Sequence, residues 1–203
     1  MEVSPMPGTT TKESTKTLLL EKGTEIMLEK GYNNTGIMEV LQSTGVPKGS
    51  FYHYFESKED FGLQIINHFD QASKEKFRTT LLNQSLTPLA RLKAYCDLGI
   101  EHFLSQKCRK GCLISNLSQE MADQSEIFRA RLLEIQNENT KVFSSCLKEA
   151  QDAGEVCKTF NTNDLAELFQ AAWGGAVMRS KICKTAEPMQ SFKELMFGKM
   201  LTP

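Results

Sequence analysis

Apolar residues recur at steps of three and four along almost the whole chain. No other feature constrains the fold as much, because one face of a helix repeats every 3.6 residues while a strand face repeats every two. Alternating β-branched runs of strand type are absent, and only 13 Gly and 6 Pro interrupt 203 residues. The pattern predicts an all-α protein. A hydrophobic share of 40% supplies a real core at this length and argues against intrinsic disorder.

Turn residues divide the pattern. A first helix is expected to start between Thr11 and Ser14 and to stop at Gly31, burying Leu18, Leu19, Ile26 and Met27. Thr35 offers an N-cap for a second, which carries Ile37, Val40 and Leu41 to about Thr44 before Gly45 breaks it. Pro47 suits the first turn of a third, short helix, and Ser57 can cap a fourth from Lys58 to about Leu82. After the polar stretch Asn83 to Thr87, helices are expected from Pro88 to about Gln106, around Leu113 to Met121, from Ser125 to Ala153, from Asn163 to Cys183 and from Glu187 to Leu201. The division is a helix-turn-helix bundle in residues 1–57, with 1–10 expected to be disordered, and a larger helical body in 58–203.

The net charge of −1 conceals an uneven distribution. Residues 1–70 hold 6 Lys/Arg against 10 Asp/Glu, residues 71–110 hold 8 against 3, and residues 111–203 hold 10 against 12. The first segment therefore lacks the basic footprint that nucleic-acid-binding domains usually show. No apolar run approaches the roughly 18 residues of a membrane span, and Glu2, Pro5 and Pro7 stand where a signal peptide needs apolar residues. These features predict a cytoplasmic protein without a membrane partner. Its six cysteines (Cys96, Cys108, Cys112, Cys146, Cys157, Cys183) are then expected to be reduced thiols.

Between Thr35 and Phe55 two short helices meet at Gly45, the outline of a helix-turn-helix. The string Thr35-Gly36-Ile37-Met38-Glu39-Val40-Leu41, followed by Gly45-Val46-Pro47-Lys48-Gly49-Ser50-Phe51-Tyr52-His53-Tyr54-Phe55-Glu56-Ser57-Lys58-Glu59, resembles the DNA-binding signature of the TetR family of transcriptional regulators. That resemblance implies a DNA-binding three-helix bundle, a variable helical body that binds an inducer, and a homodimer formed through the last two long helices.

The residues agree with the resemblance on chemistry. A short helix with Lys48, Ser50, Tyr52 and His53 outward and Phe51, Tyr54 and Phe55 inward fits a major groove. Gly49 permits close backbone approach. Tyr52, His53, Lys58 and the N–H groups behind Thr35 suit phosphate contacts, while Pro47, Lys48 and Ser50 are placed to read bases. The competing reading makes Tyr52 and Tyr54 core aromatics, the latter more than the former, and Lys58 a solvated charge. Two half-sites one helical turn apart require a dimer on a pseudo-palindromic operator. Gly174 and Gly175 cost helix stability and fit close helix approach, at a dimer interface or within one subunit.

Two further stretches, Lys110-Gly111-Cys112-Leu113-Ile114-Ser115-Asn116-Leu117-Ser118 and Gly175-Ala176-Val177-Met178-Arg179-Ser180-Lys181-Ile182, are similar to the NemR-like branch of that family, repressors that respond to electrophiles and oxidants. The resemblance implies a sensor at Cys112 and a lysine, Lys181, that takes part in the response. Thiol chemistry is consistent with this: Arg109, Lys110 and a helix start all favour the Cys112 thiolate. Cys108, between Lys107 and Arg109, is the rival sensor, whereas Cys96, Cys146 and Cys157 read as small buried hydrophobes. Lys181 shares a helix face with Val177 and Trp173, and its alternative is a solvated charge. A non-covalent inducer in a pocket lined by Phe103, Trp173 and Met178 remains the second route to release. Zinc at Cys108-x-x-x-Cys112 lacks further ligands, no cofactor motif appears, and an enzyme with Cys112 as nucleophile lacks a general base nearby in sequence.

Overall fold

The computed structural model describes residues 9–201, with side chains from Lys12 onward, and every regular element among them is helical. In chain order these are α1 (Thr9–Lys30), α2 (Ile37–Thr44), α3 (Lys58–Thr79), α4 (Pro88–Ser105), α5 (Leu113–Met121), α6 (Glu126–Asp152), α7 (Thr162–Cys183) and α8 (Glu187–Leu195). A 3-10 helix, Lys48–His53, lies between α2 and α3, and a π-helical turn, Met196–Met200, continues α8. The disorder expected of residues 1–10 concerns positions that lie, as far as Gly8, outside the described residues; Thr9 and Thr10 already belong to α1.

Side-chain caps set several helix starts, each worth about 1 kcal/mol. Ser57 Oγ accepts from the Asp60 N–H at 3.0 Å, Thr87 Oγ1 from Ala90 at 3.4 Å and Ser125 Oγ from Phe128 at 3.4 Å, while Asn161 caps α7. Thr35 is not a cap. Its side chain is buried and its hydroxyl donates to the Gly31 carbonyl at 2.6 Å, so Gly36 takes the N-cap position with no side chain to offer. Pro47 precedes the 3-10 helix in extended conformation instead of lying in its first turn, and its carbonyl accepts from the Ser50 N–H at 2.9 Å. Gly31 and Gly45 end α1 and α2 with φ of +80° and +69°, a region costly for residues that carry a Cβ.

Two apolar clusters form the core. The first joins α1, α2, the 3-10 helix, the start of α3, α5 and the start of α6; the second joins the end of α3 with α4, the end of α6, α7 and α8. Helices α3 and α6 span both, through Phe61, Ile65 and Phe77 in one and Phe128, Ile135 and Phe143 in the other. Leu19, Ile26 and Met27 are buried as expected. Leu18 is not: it is 44% exposed, and Leu20 and Leu28 complete the buried stripe. No described helix is long and apolar enough to cross a membrane.

Candidate functional site

The 3-10 helix is anchored by rings. Phe51 and Phe55 are buried with Phe61 in mutual contact, at centroid separations of 5.1, 5.3 and 4.7 Å. This anchoring turns the other side of the helix outward. Pro47, Lys48, Gly49 and His53 are exposed, Ser50 is half-buried, and Tyr52 is 64% exposed. Tyr54 is half-buried against the first cluster. Lys58, at the start of α3, departs from the pattern. Its ammonium donates to the Asn33 carbonyl at 3.1 Å and stands 4.7 Å from the Tyr32 ring centroid, and burial holds its pKa below the usual lysine value. It therefore braces the α1–α2 turn and is not a freely projecting charge. With Thr35 buried, only backbone N–H groups remain at that helix start for an anion.

The same turn is gripped from the body. Glu120, near the end of α5, accepts the Tyr32 N–H through Oε2 and the Asn33 N–H through Oε1, both at 2.8 Å. Its carboxylate fills the space beside Gly31, where an added Cβ would stand 2.5 Å from Oε2. Gln124 Oε1 accepts from Asn33 Nδ2 at 3.1 Å, and Ser125 Oγ donates to Glu59 of α3 at 2.8 Å. Gly62 of α3 lets Phe128 and Tyr32 close over it, since a Cβ there would meet them at 2.6 and 2.8 Å. Nothing in the sequence marked Glu120, because its role appears only when α5 lies against the α1–α2 turn.

At the other end of α5 sits Cys112, in the N-cap position and half-buried against the first cluster. Lys181 is brought close: a Cβ at Gly111 would lie 3.7 Å from Lys181 Cδ, and the Lys181 amine donates to the Leu28 carbonyl of α1 at 3.4 Å. Lys110 turns towards Glu25 of α1 at 3.9 Å. Lys76 of α3, which the sequence did not flag, stands with its ammonium 4.1 Å from the Tyr95 ring centroid, and burial lowers its pKa.

The remaining thiols sort by burial. Cys108 is buried in the second cluster, and it and Lys107 have left-handed backbone with φ of 56° and 53°, so the rival sensor points inward and not into a basic link. Burial pushes the Cys96 and Cys146 thiols up to about 12. Cys157, expected to be buried, is half-buried, and a contact with the Thr159 hydroxyl at 3.1 Å lowers its pKa. Cys183 is exposed. The proposed lining does not gather: Phe103 and Trp173 are buried in the second cluster, but Met178 is 62% exposed on the outer face of α7. Among the described residues no three His, Cys, Asp or Glu cluster as a metal would require.

Met178 belongs to another surface. Leu168, Ala171, Gly175, Met178 and Ile182 follow at steps of three and four and are all exposed, Ile182 at 65%. Nothing lies within 4 Å of where a Gly175 side chain would project. This is an apolar stripe with a small residue at its centre, the pattern of a helix packed against another helix.

Comparison with known proteins is consistent across the chain. A family model described as bacterial regulatory proteins, tetR family, matches residues 19–65, and one described as tetracyclin repressor-like, C-terminal domain, matches residues 88–196. The HTH-type transcriptional repressor DhaR of Mycobacterium sp. (strain GP1) is 37% identical over 90% of this chain and 90% of its own length. The HTH-type transcriptional repressor NemR of Escherichia coli (strain K12) is 31% identical over 89% and 91%. The crystal structure of a regulatory protein TetR from Rhodobacter sphaeroides superposes with a TM-score of 0.87 at 36% identity, covering 92% of this chain and 98% of that one.

Proposed function

From the premise that the chain belongs to the TetR family of transcriptional regulators, we propose that its hold on operator DNA is released when an electrophile or oxidant modifies Cys112. Membership makes it a DNA-binding, dimeric repressor and not an enzyme. Residues 1–57 are taken as the DNA-binding part and 58–203 as the regulatory and dimerising part. Pro47, Lys48 and Ser50 read bases, Tyr52 and His53 hold phosphates, and the α7 stripe pairs two copies so that both recognition helices meet a pseudo-palindrome.

The observation that carries the switch is the span of α5. Cys112 opens this helix and Glu120 closes it on the turn that leads into α2, a distance of about 12 Å at 1.5 Å per residue. A group added to the thiol displaces the start of a rigid rod whose far end holds the DNA-binding bundle. Lys181, between Gly111 and α1, stabilises the thiolate or its oxidised product. The link to the NemR-like branch rests on 31% identity and on the Gly-Cys-Leu and Lys181 positions, beside a higher identity to DhaR. A purely non-covalent inducer is less well supported, because Met178 does not face Phe103 and Trp173.

The test is titration of the purified protein onto its own upstream DNA, untreated, with N-ethylmaleimide, and with hypochlorite followed by reductant. Release by both agents, reversed by reductant after hypochlorite and absent in Cys112→Ser, is expected. Release that persists in Cys112→Ser ends the proposal.

A further inference from the structure

We infer that Asp70 is a positioning residue for operator binding: through an ion ladder between α3 and α6 it fixes the angle at which the DNA-binding bundle stands on the dimerising body, and so the half-site spacing that the dimer accepts. The inference rests on the proposed binding of a dimer to two half-sites and not on Cys112. Helix α3 leads from the recognition segment into the body and packs against α6, and both helices span the two apolar clusters. Between the clusters their contact changes character. Among the described residues, Asp70 is the one buried residue of α3 between Ile66 and Phe77, and α6 has none between Ile135 and Phe143. At this joint between two close-packed apolar regions, directional polar bonds set how one helix sits on the other.

Asn67, Asp70 and Lys74 on α3 meet Arg131, Glu134 and Glu138 on α6, each set following at steps of three and four. Arg131 spends its whole guanidinium here: Nη2 donates to Asp70 Oδ2 at 2.9 Å, Nε to Asn67 Oδ1 at 2.7 Å and Nη1 to Glu134 Oε2 at 2.7 Å. Lys74 Nζ stands 2.9 Å from the same Asp70 oxygen and 3.0 Å from Glu138 Oε2. Asp70 is thus the carboxylate that two cations share, and its side chain is 2% exposed against 23% for Arg131 and 51% for Lys74. A buried ion pair adds little net stability once desolvation is counted, yet its bonds are directional, so it suits fixing a register more than holding a fold. The lever is long. From Lys58 to Asp70 is about 18 Å at 1.5 Å per residue, so a turn of about 10° at the ladder moves the recognition segment by about 3 Å, close to the rise of one base pair.

Asp70→Asn tests this with little other disturbance. Asp70 Oδ1 has no hydrogen-bond partner among the described residues, so an amide can place its NH2 there and keep its oxygen where Oδ2 accepts; only the charge is lost. The full-length protein is titrated onto its own upstream DNA, and onto the same DNA with one base pair inserted at the centre of the protected segment. The wild-type protein is expected to bind as one dimer and to prefer the native spacing. Asp70→Asn is expected to narrow that preference about tenfold, the weight of one charge-assisted bond, without changing base preference within a half-site. Arg131→Lys keeps the charge but cannot serve three acceptors from one planar fork, so it should narrow the preference likewise, and it supplies the test should Asp70→Asn fail to fold. A merely structural loss would weaken both operators by the same factor. That result in a folded variant overturns the role of Asp70 and leaves the reading of a dimer on two half-sites standing. Wild-type binding that ignores the insertion, or binding by a monomer, overturns that reading and the inference together.

Discussion

Glu120 accepts the backbone N–H of Tyr32 at 2.8 Å, and through that bond α5 holds the turn that aims the DNA-binding helices. The second carboxylate oxygen takes the Asn33 N–H at the same distance, and Lys58 donates to the Asn33 carbonyl. The α1–α2 turn is thus held by an acid from the body and a base from the connecting helix. Charge-assisted bonds of this kind contribute roughly 1.5–3 kcal/mol each.

Glu120→Gln keeps the shape, removes the charge and leaves one acceptor where there were two. The variant is expected to stay folded, to lose about 1–3 kcal/mol of stability, and to uncouple operator affinity from the state of Cys112. Thermal melts together with operator titrations before and after alkylation check this. An alkylation response as large as the parent's would mean that α5 is not the transmitting element.

Tyr52 and Lys58 should support operator binding in different ways. Tyr52, at 64% exposure, is proposed as a phosphate contact, so Tyr52→Ala should weaken all operator sequences about equally. Lys58→Met should weaken binding by loosening the Asn33 turn, with the slope of log affinity against log salt unchanged because no phosphate charge is lost. A slope reduced by about one in Lys58→Met would return Lys58 to the DNA surface.

The helices and the outward face of the recognition segment were legible because local signals set them: apolar period, Ser57 as a cap, Gly31 and Gly45 as stops, and Phe51 and Phe55, which have no hydroxyl and pack inward. What escaped was long-range. Glu120 and Lys76 look like ordinary solvated helix charges until α5 meets the α1–α2 turn and α3 meets α4. Thr35 was misread as a cap because its hydroxyl satisfies the Gly31 carbonyl behind it and not a donor ahead. Met178 was misplaced because a periodic apolar face does not say whether its partner is the same chain or a second copy.

That second copy gives the next prediction. Met178→Glu or Ile182→Glu would place a charge on the apolar stripe while leaving the subunit's own core untouched, since both side chains are more than half exposed. Sedimentation should show dimer association weakened by about 1.4–2.8 kcal/mol, tenfold to a hundredfold in Kd, with unchanged helix content. Dimers as tight as the parent's would move the interface off the α7 stripe.

Reactivity and sensing should part company among the thiols. Cys96 and Cys146, pushed up to about 12 by burial, are thiols and not thiolates at neutral pH and should resist alkylation in the folded protein. Cys157 is pulled the other way by Thr159, and Cys183 is exposed, so both should be modified alongside Cys112. Neither lies on α5: Cys157 sits in the α6–α7 connection and Cys183 at the end of α7. Their modification should therefore leave operator binding intact. Single Cys→Ser variants at positions 96, 108, 112, 146, 157 and 183 decide the matter, each assayed for oxidant-driven DNA release. Only Cys112→Ser should be insensitive, with Lys181→Met blunted but still DNA-binding. Insensitivity of Cys108→Ser with a normal response in Cys112→Ser would place sensing in the left-handed Lys107–Cys108 link, where relief of backbone strain and not the α5 rod would be the trigger.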